Sequence, residues 1–166
     1  MVNIKVMKKI LFSLILTCIH LVCFSQIEDT VFPNPIGYTS DFEKIFAAKQ
    51  INELDSLIID FEKNTSNEIA IITVDNIGNY TDFNKYALDL SNKWGVGKSG
   101  KDNGLTIVFC NKMRQIRINT GTQTGHTLTD EICNRILQEI ILPSFRKGDY
   151  FEGIKNGLKE LIVNWK

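Results

Sequence analysis

Residues 94–104 read Trp-Gly-Val-Gly-Lys-Ser-Gly-Lys-Asp-Asn-Gly, with four glycines in eleven positions. Glycine is used where the backbone takes positive φ or where another segment passes too close for a side chain. The stretch lies between an amphipathic helical pattern ending at Trp94 and a continuous apolar run, Leu105 to Cys110. It is therefore a shaped helix-to-strand loop. Its one carboxylate, Asp102, is a candidate catalytic group or metal ligand, set against a turn aspartate that bonds the Asn103–Gly104 bend. Lys98 and Lys101 are candidate contacts for a substrate anion, set against solvated lysines. The spacing of Gly95, Gly100 and Lys101 imitates a phosphate-binding loop, but Asp102 stands where Ser or Thr is required. The order of elements is also reversed, so no helix N-terminus follows to hold a phosphate.

The flanking patterns give an α/β reading. Ile51, Leu54, Leu57, Ile58 and Phe61 recur at helical spacing from a start near Ala47. Ile69 to Val74 is a β-branched run suited to a strand buried on both faces. Thr81 is expected to cap a second helix whose apolar stripe is Phe83, Ala87, Leu90 and Trp94. Strand, helix and the 105–110 strand then form a βαβ unit. Gln115 to Thr120 alternates and should pair antiparallel with 105–110. Thr129 caps a third helix, interrupted near its end by Pro143, and a last helix covers roughly 149–165.

The N-terminus is read as an export signal over residues 1–25. Lys5, Lys8 and Lys9 precede an apolar run from Ile10 to Phe24, and Ser25 offers a cleavage site. Val22 before Cys23 does not suit lipid attachment. Cleavage removes three lysines and no acid, leaving 141 residues with 16 basic and 19 acidic groups out of the chain's 19 and 19. This excess of acid argues against a nucleic-acid partner. No later apolar stretch reaches spanning length, so the product is expected to be periplasmic or secreted, without a membrane span. Residues 26–33 read as a leader segment and 34–166 as one domain. Cys110 and Cys133 remain, as a disulfide or as two buried thiols, and the thiol alternative is slightly favoured.

Several ordered motifs together resemble the TPM domain family, named for a thylakoid lumen protein, a photosystem II repair protein and a nematode receptor modulator. They are Asn34-Pro-Ile-Gly-Tyr-Thr-Ser-Asp-Phe42, Glu68-Ile-Ala-Ile-Ile-Thr-Val74, the 93–104 loop, Leu128-Thr-Asp130 and Ile141-Leu-Pro-Ser-Phe-Arg-Lys-Gly-Asp-Tyr150. The resemblance implies a three-layer α/β/α sandwich around a small mixed sheet of three to four strands. It also implies an extracytoplasmic address, calcium or another divalent cation held by surface carboxylates, and acid phosphatase activity in some members. One departure stands out. Where the family carries Gly-Tyr-Gly-hydrophobe-Glu, this chain has Gly121-Thr-Gln-Thr-Gly125, so the acidic position falls on Gly125.

Asp41, Asp102 and Asp130 are the candidate metal ligands, provided that folding brings three loops together, because calcium takes six to eight oxygens. Asp102 and Asp130 are the candidate catalytic carboxylates. For Asp130 the ordinary role is that of a first-turn acid satisfying helix amides, and for Asp41 that of a cap or turn acid. Two functions are expected from this set. The first is an interaction or assembly module of the cell envelope, with an envelope protein as partner. The second is a metal-assisted phosphatase acting on a phosphorylated small molecule.

Overall fold

The computed structural model describes residues 32–165. The expected signal at 1–25, the cysteines within it and most of the leader segment lie outside the described residues. The elements run β1 (Thr39–Asp41), α1 (Ala48–Thr65), β2 (Glu68–Thr73), α2 (Phe83–Trp94), β3 (Gly104–Cys110), β4 (Gln115–Thr120), α3 (Thr122–Gly125) and α4 (Asp130–Ile136). A π-helical segment (Leu137–Ile141), α5 (Leu142–Arg146) and α6 (Tyr150–Asn164) complete the chain.

The sheet order is β1-β2-β3-β4. The first three strands are parallel, and β4 is antiparallel to β3, pairing Leu105 with Thr120 and Cys110 with Gln115. All seven residues of β3 are buried, as expected for a central strand covered on both faces. Alternation along the strands divides the core. Ile69, Ile71, Leu105, Ile107 and Phe109 pack with Leu54, Ile58 and Phe61 of α1 and with Ile154, Leu158 and Leu161 of α6. Ala70, Ile72, Val108 and Cys110 face the other way, onto Phe83, Tyr86, Ala87 and Leu90 of α2. The result is the expected α/β/α sandwich, with one face covered by several helices and the other by one.

Three local readings change. β1 was not foreseen as a strand; Thr39, Ser40 and Asp41 are polar yet buried, and they extend the sheet beyond β2. The α2 cap is Asp82 rather than Thr81, with its carboxylate accepting from the Asn84 amide at 2.8 Å. Pro143 does not simply break its helix. The preceding five residues widen to π spacing, so the chain turns on into α5 although the proline ring has no N–H to give. Phe32 and Pro33, at the end of the expected leader segment, make contacts with α2. Phe32 lies 5.3 Å from the Tyr86 ring, and the Pro33 carbonyl accepts from Trp94 Nε1 at 2.9 Å. Cys110 and Cys133 are free, buried thiols. No helix among the described residues is long and apolar enough to cross a membrane.

Candidate functional site

The glycine-rich loop joins α2 to β3 at the end of the sheet where the parallel strands begin. Gly95 ends α2 at φ 62°, and Gly97 follows at φ 119°. Two further glycines are there for proximity. A Cβ on Gly104 would lie 1.8 Å from the Val96 carbonyl oxygen, and one on Gly121 would lie 2.2 Å from the Asp102 carbonyl oxygen. Asn103 is buried and ties the loop to the rest of the fold. Its Oδ1 accepts from the Lys98 amide at 2.8 Å, and its Nδ2 donates to the Ser66 carbonyl at 2.8 Å and to Asn67 Oδ1 at 3.0 Å.

Lys98 does not point to solvent as a free cation. Its Nζ sits 2.9 Å from Glu62 Oε1 and 2.5 Å from Glu68 Oε1. The other oxygen of Glu68 accepts from the Gly97 amide at 2.7 Å. The two carboxylates raise the Lys98 ammonium above its ordinary range, Glu68 contributing most. Lys98 and the neighbouring Tyr38 hydroxyl in turn lower the Glu62 carboxyl, against a smaller desolvation penalty. The Tyr38 hydroxyl is raised, chiefly by its bond to Glu62. These groups border a shallow groove of about 370 Å³, walled by Tyr38, Glu62, Glu68, Ile69 and Trp94. One ammonium against two carboxylates leaves the groove negative.

The expected site residues separate. Asp41 is buried at the last position of β1, opposite Thr73. Its Oδ1 accepts from Thr73 Oγ1 at 2.6 Å and its Oδ2 from the Phe46 amide at 2.7 Å. Asp102 precedes Gly104, which pairs with Glu68 at the first position of β2. The two aspartates therefore sit at opposite ends of the strands, roughly 17 Å or more apart at about 3.3 Å per residue. Asp130 opens α4 and borders a separate depression with Arg117, Asn84 and Asn134. Among the described residues no three His, Cys, Asp or Glu side chains gather closely enough to hold a metal ion. The three acids are thus not gathered: Asp41 and Asp102 lie at opposite ends of the strands, and Asp130 borders a depression of its own.

Asp102 itself is exposed and adopts φ 47°. Its carbonyl, rather than its carboxylate, makes the local bond, accepting from the Gln123 amide at 3.2 Å. Lys98, the expected substrate-anion contact, is held between two carboxylates. Lys101 is exposed. The partners of Lys98, Glu62 and Glu68, were not singled out in the sequence. They lie 36 and 30 positions away, and no short-range pattern links them.

A model of the TPM domain matches residues 39–163. The chain belongs to the TPM domain family. Solved structures share the fold. The TPM domain resembles the N-terminal domain of a protein from P. gingivalis, at 26% identity and TM-score 0.70, over 76% of this chain and 80% of that one. It also resembles the BA42 protein from the psychrophilic bacterium Bizionia argentinensis, at 20% identity and TM-score 0.65, over 75% and 88%. The N-terminal domain of the cg2496 protein from Corynebacterium glutamicum shares the fold at 14% identity and TM-score 0.61, over 81% and 84%. Among curated proteins none matches the chain.

Proposed function

We propose that this TPM domain is an exported binding module of the cell envelope that engages a protein partner through the groove beside its glycine-rich loop. The observation that carries the reading is the double pairing of Lys98 with Glu62 and Glu68. That pairing takes the loop's central cation away from any incoming phosphate. It leaves a negative groove flanked by apolar surface, since Ile36 is 70% and Tyr38 38% exposed. Such a surface suits a basic segment carrying apolar side chains. The basic, apolar stretch at residues 1–25 supports the envelope address.

Cross-linking in envelope extracts tests this proposal. The wild type should capture a defined protein that Tyr38→Ser and Glu62→Gln lose, while hydrolysis of para-nitrophenyl phosphate stays at background with calcium or magnesium. Metal-dependent turnover that disappears in Asp102→Ala, without any groove-dependent partner, would overturn it.

The second reading, a metal-assisted phosphatase, draws on one feature. The α3 turn is bonded to the Asp102 carbonyl, and a Cβ at Gly125 would meet only Thr120 Oγ1, at 3.5 Å. Position 125 therefore has room for the Cβ of the acid that the family resemblance implies there. On this reading Gly125→Glu gains cation-dependent hydrolysis, and a variant as inactive as the wild type counts against it.

A further inference from the structure

We infer that the opposite edge of the sheet, where the parallel strands end, carries a binding site for a small organic acid: one anionic head on an apolar body. A cavity of about 460 Å³ opens there between the end of β3, the β3–β4 turn and the α5–α6 corner. That volume lies in the range that small-molecule pockets occupy. The carboxyl ends of parallel strands are also where open α/β sheets receive ligands.

The interior is mainly apolar. Phe109, Phe145 and Tyr150 form its aromatic wall, with Phe145 4.9 Å from Tyr150 and 5.3 Å from Phe109 between ring centroids. Ile116 and Leu142 complete it. The mouth is cationic. Arg114 and Arg146 both line the cavity, are exposed, and form no ion pair among the described residues. The nearby acids are turned to other partners. Glu43 accepts from the Asn111 and Lys112 amides at 2.7 and 3.3 Å, Asp149 accepts from the Glu152 amide at 3.1 Å, and Asp75 pairs with Lys112.

Neither arginine hangs on a loose loop. Arg114 is held at φ 54°, with its amide donating to the Asn111 carbonyl at 3.0 Å in a turn that Glu43 anchors. Arg146 ends α5, and Gly148 at φ 80° then reverses the chain to bring Tyr150 over the cavity. Two guanidinium groups without an ion pair among the described residues, at the mouth of an aromatic-walled cavity, match an acid with a hydrocarbon or aryl tail. A carboxylate and a phosphomonoester present the same chemistry to them. This site stands apart from the glycine-rich loop by the full length of β3, and it does not depend on the binding-module proposal.

The test is calorimetric titration of the purified protein with decanoate, decyl phosphate and decanol below their aggregation limits, with amide shifts mapped by NMR. At least one of the two acids should saturate and move the amides of 111–116 and 142–150, with decanol at least tenfold weaker. The preferred head then identifies the natural ligand as a carboxylic acid or a phosphate ester. Arg146→Gln and Arg114→Asn, the latter chosen because Asn accepts the left-handed backbone, should each weaken the acid about tenfold and leave decanol unchanged. Unchanged melting of both variants separates this from misfolding. Decanol binding as tightly as the acids, full affinity in both variants, or no saturable shift with either acid would each overturn the inference.

Discussion

Gly104→Ala tests whether the family's glycine signature is there for packing. Gly104 does not need positive φ, so alanine meets no backbone penalty there; the obstacle is a Cβ placed 1.8 Å from the Val96 carbonyl oxygen. Reaching an ordinary contact of about 3.4 Å requires about 1.6 Å of backbone displacement. The displaced segments carry the Glu68 amide to Asn103 carbonyl bond at 3.1 Å, the Gly121 amide to Gly104 carbonyl bond at 2.9 Å and the Gly97 amide to Glu68 bond at 2.7 Å. Three weakened bonds at about 1 kcal/mol each, with roughly 1–3 kcal/mol for overpacking, put the loss at about 4–6 kcal/mol. That is a large part of the roughly 5–15 kcal/mol that holds a domain folded. Gly100→Ala is the control. It sits in the same loop at φ 75°, with nothing within 4 Å of its Cβ, so it should cost only about 1–2 kcal/mol of left-handed strain. Equilibrium urea unfolding followed by circular dichroism measures both. A Gly104→Ala loss within 1 kcal/mol of the Gly100→Ala loss would refute the packing argument.

Three further outcomes are expected. The Glu62 carboxyl is lowered in the fold, so the stability it confers is present above its ordinary value of about 4.3 and is lost as pH falls through the depressed one. Melting temperatures of wild type and Glu62→Gln should therefore differ at pH 7 and converge below about pH 4; a constant gap would show that this pairing does not act through charge. The Cys133 thiol is pushed up to about 11 and the Cys110 thiol is raised, both mainly by burial. Native protein at pH 8 should leave both unlabelled by a thiol reagent while urea exposes both, and fast native labelling would contradict their placement. Asn103→Ala strands the Lys98 amide and the Ser66 carbonyl, which predicts a loss of about 2–4 kcal/mol and a melting temperature lower by roughly 10 °C; a drop under 2 °C would mean that water replaces the side chain.

What the sequence disclosed follows the range of the forces involved. The β3–β4 hairpin was legible because Ile116 and Ile118 alternate with Arg117 and Asn119, and the short turn leaves one register. Helices α1, α2 and α6 announced themselves through apolar spacing, whereas the short α3 did not. β1 did not, because Thr39-Ser40-Asp41 has no apolar pattern. Its burial is stabilised by Asp55 accepting from the Thr39 amide at 2.9 Å and by the Asp41–Thr73 bond, contacts across 16 and 32 positions. The cap of α2 fell to Asp82 because two adjacent residues could each serve, and the turn geometry decides between them. The pairing of Lys98 was not legible because both of its carboxylates arrive from other elements.

The motif density of the 93–104 loop therefore measures steric demand before it measures chemistry. Gly97, Gly104 and Gly121 each lie against another backbone segment, so a side chain at any of them forces the main chain to move. A side chain at such positions costs stability, whatever the domain binds. The residues free to set a ligand's identity are those whose side chains face open space without holding the backbone, and Arg114 and Arg146 meet that description. The same reasoning applies at position 125, where a Cβ meets only a side-chain oxygen at 3.5 Å, so the fold places no demand for glycine there. Gly125, where the family resemblance implies an acid, is thus a position at which the backbone does not dictate the residue.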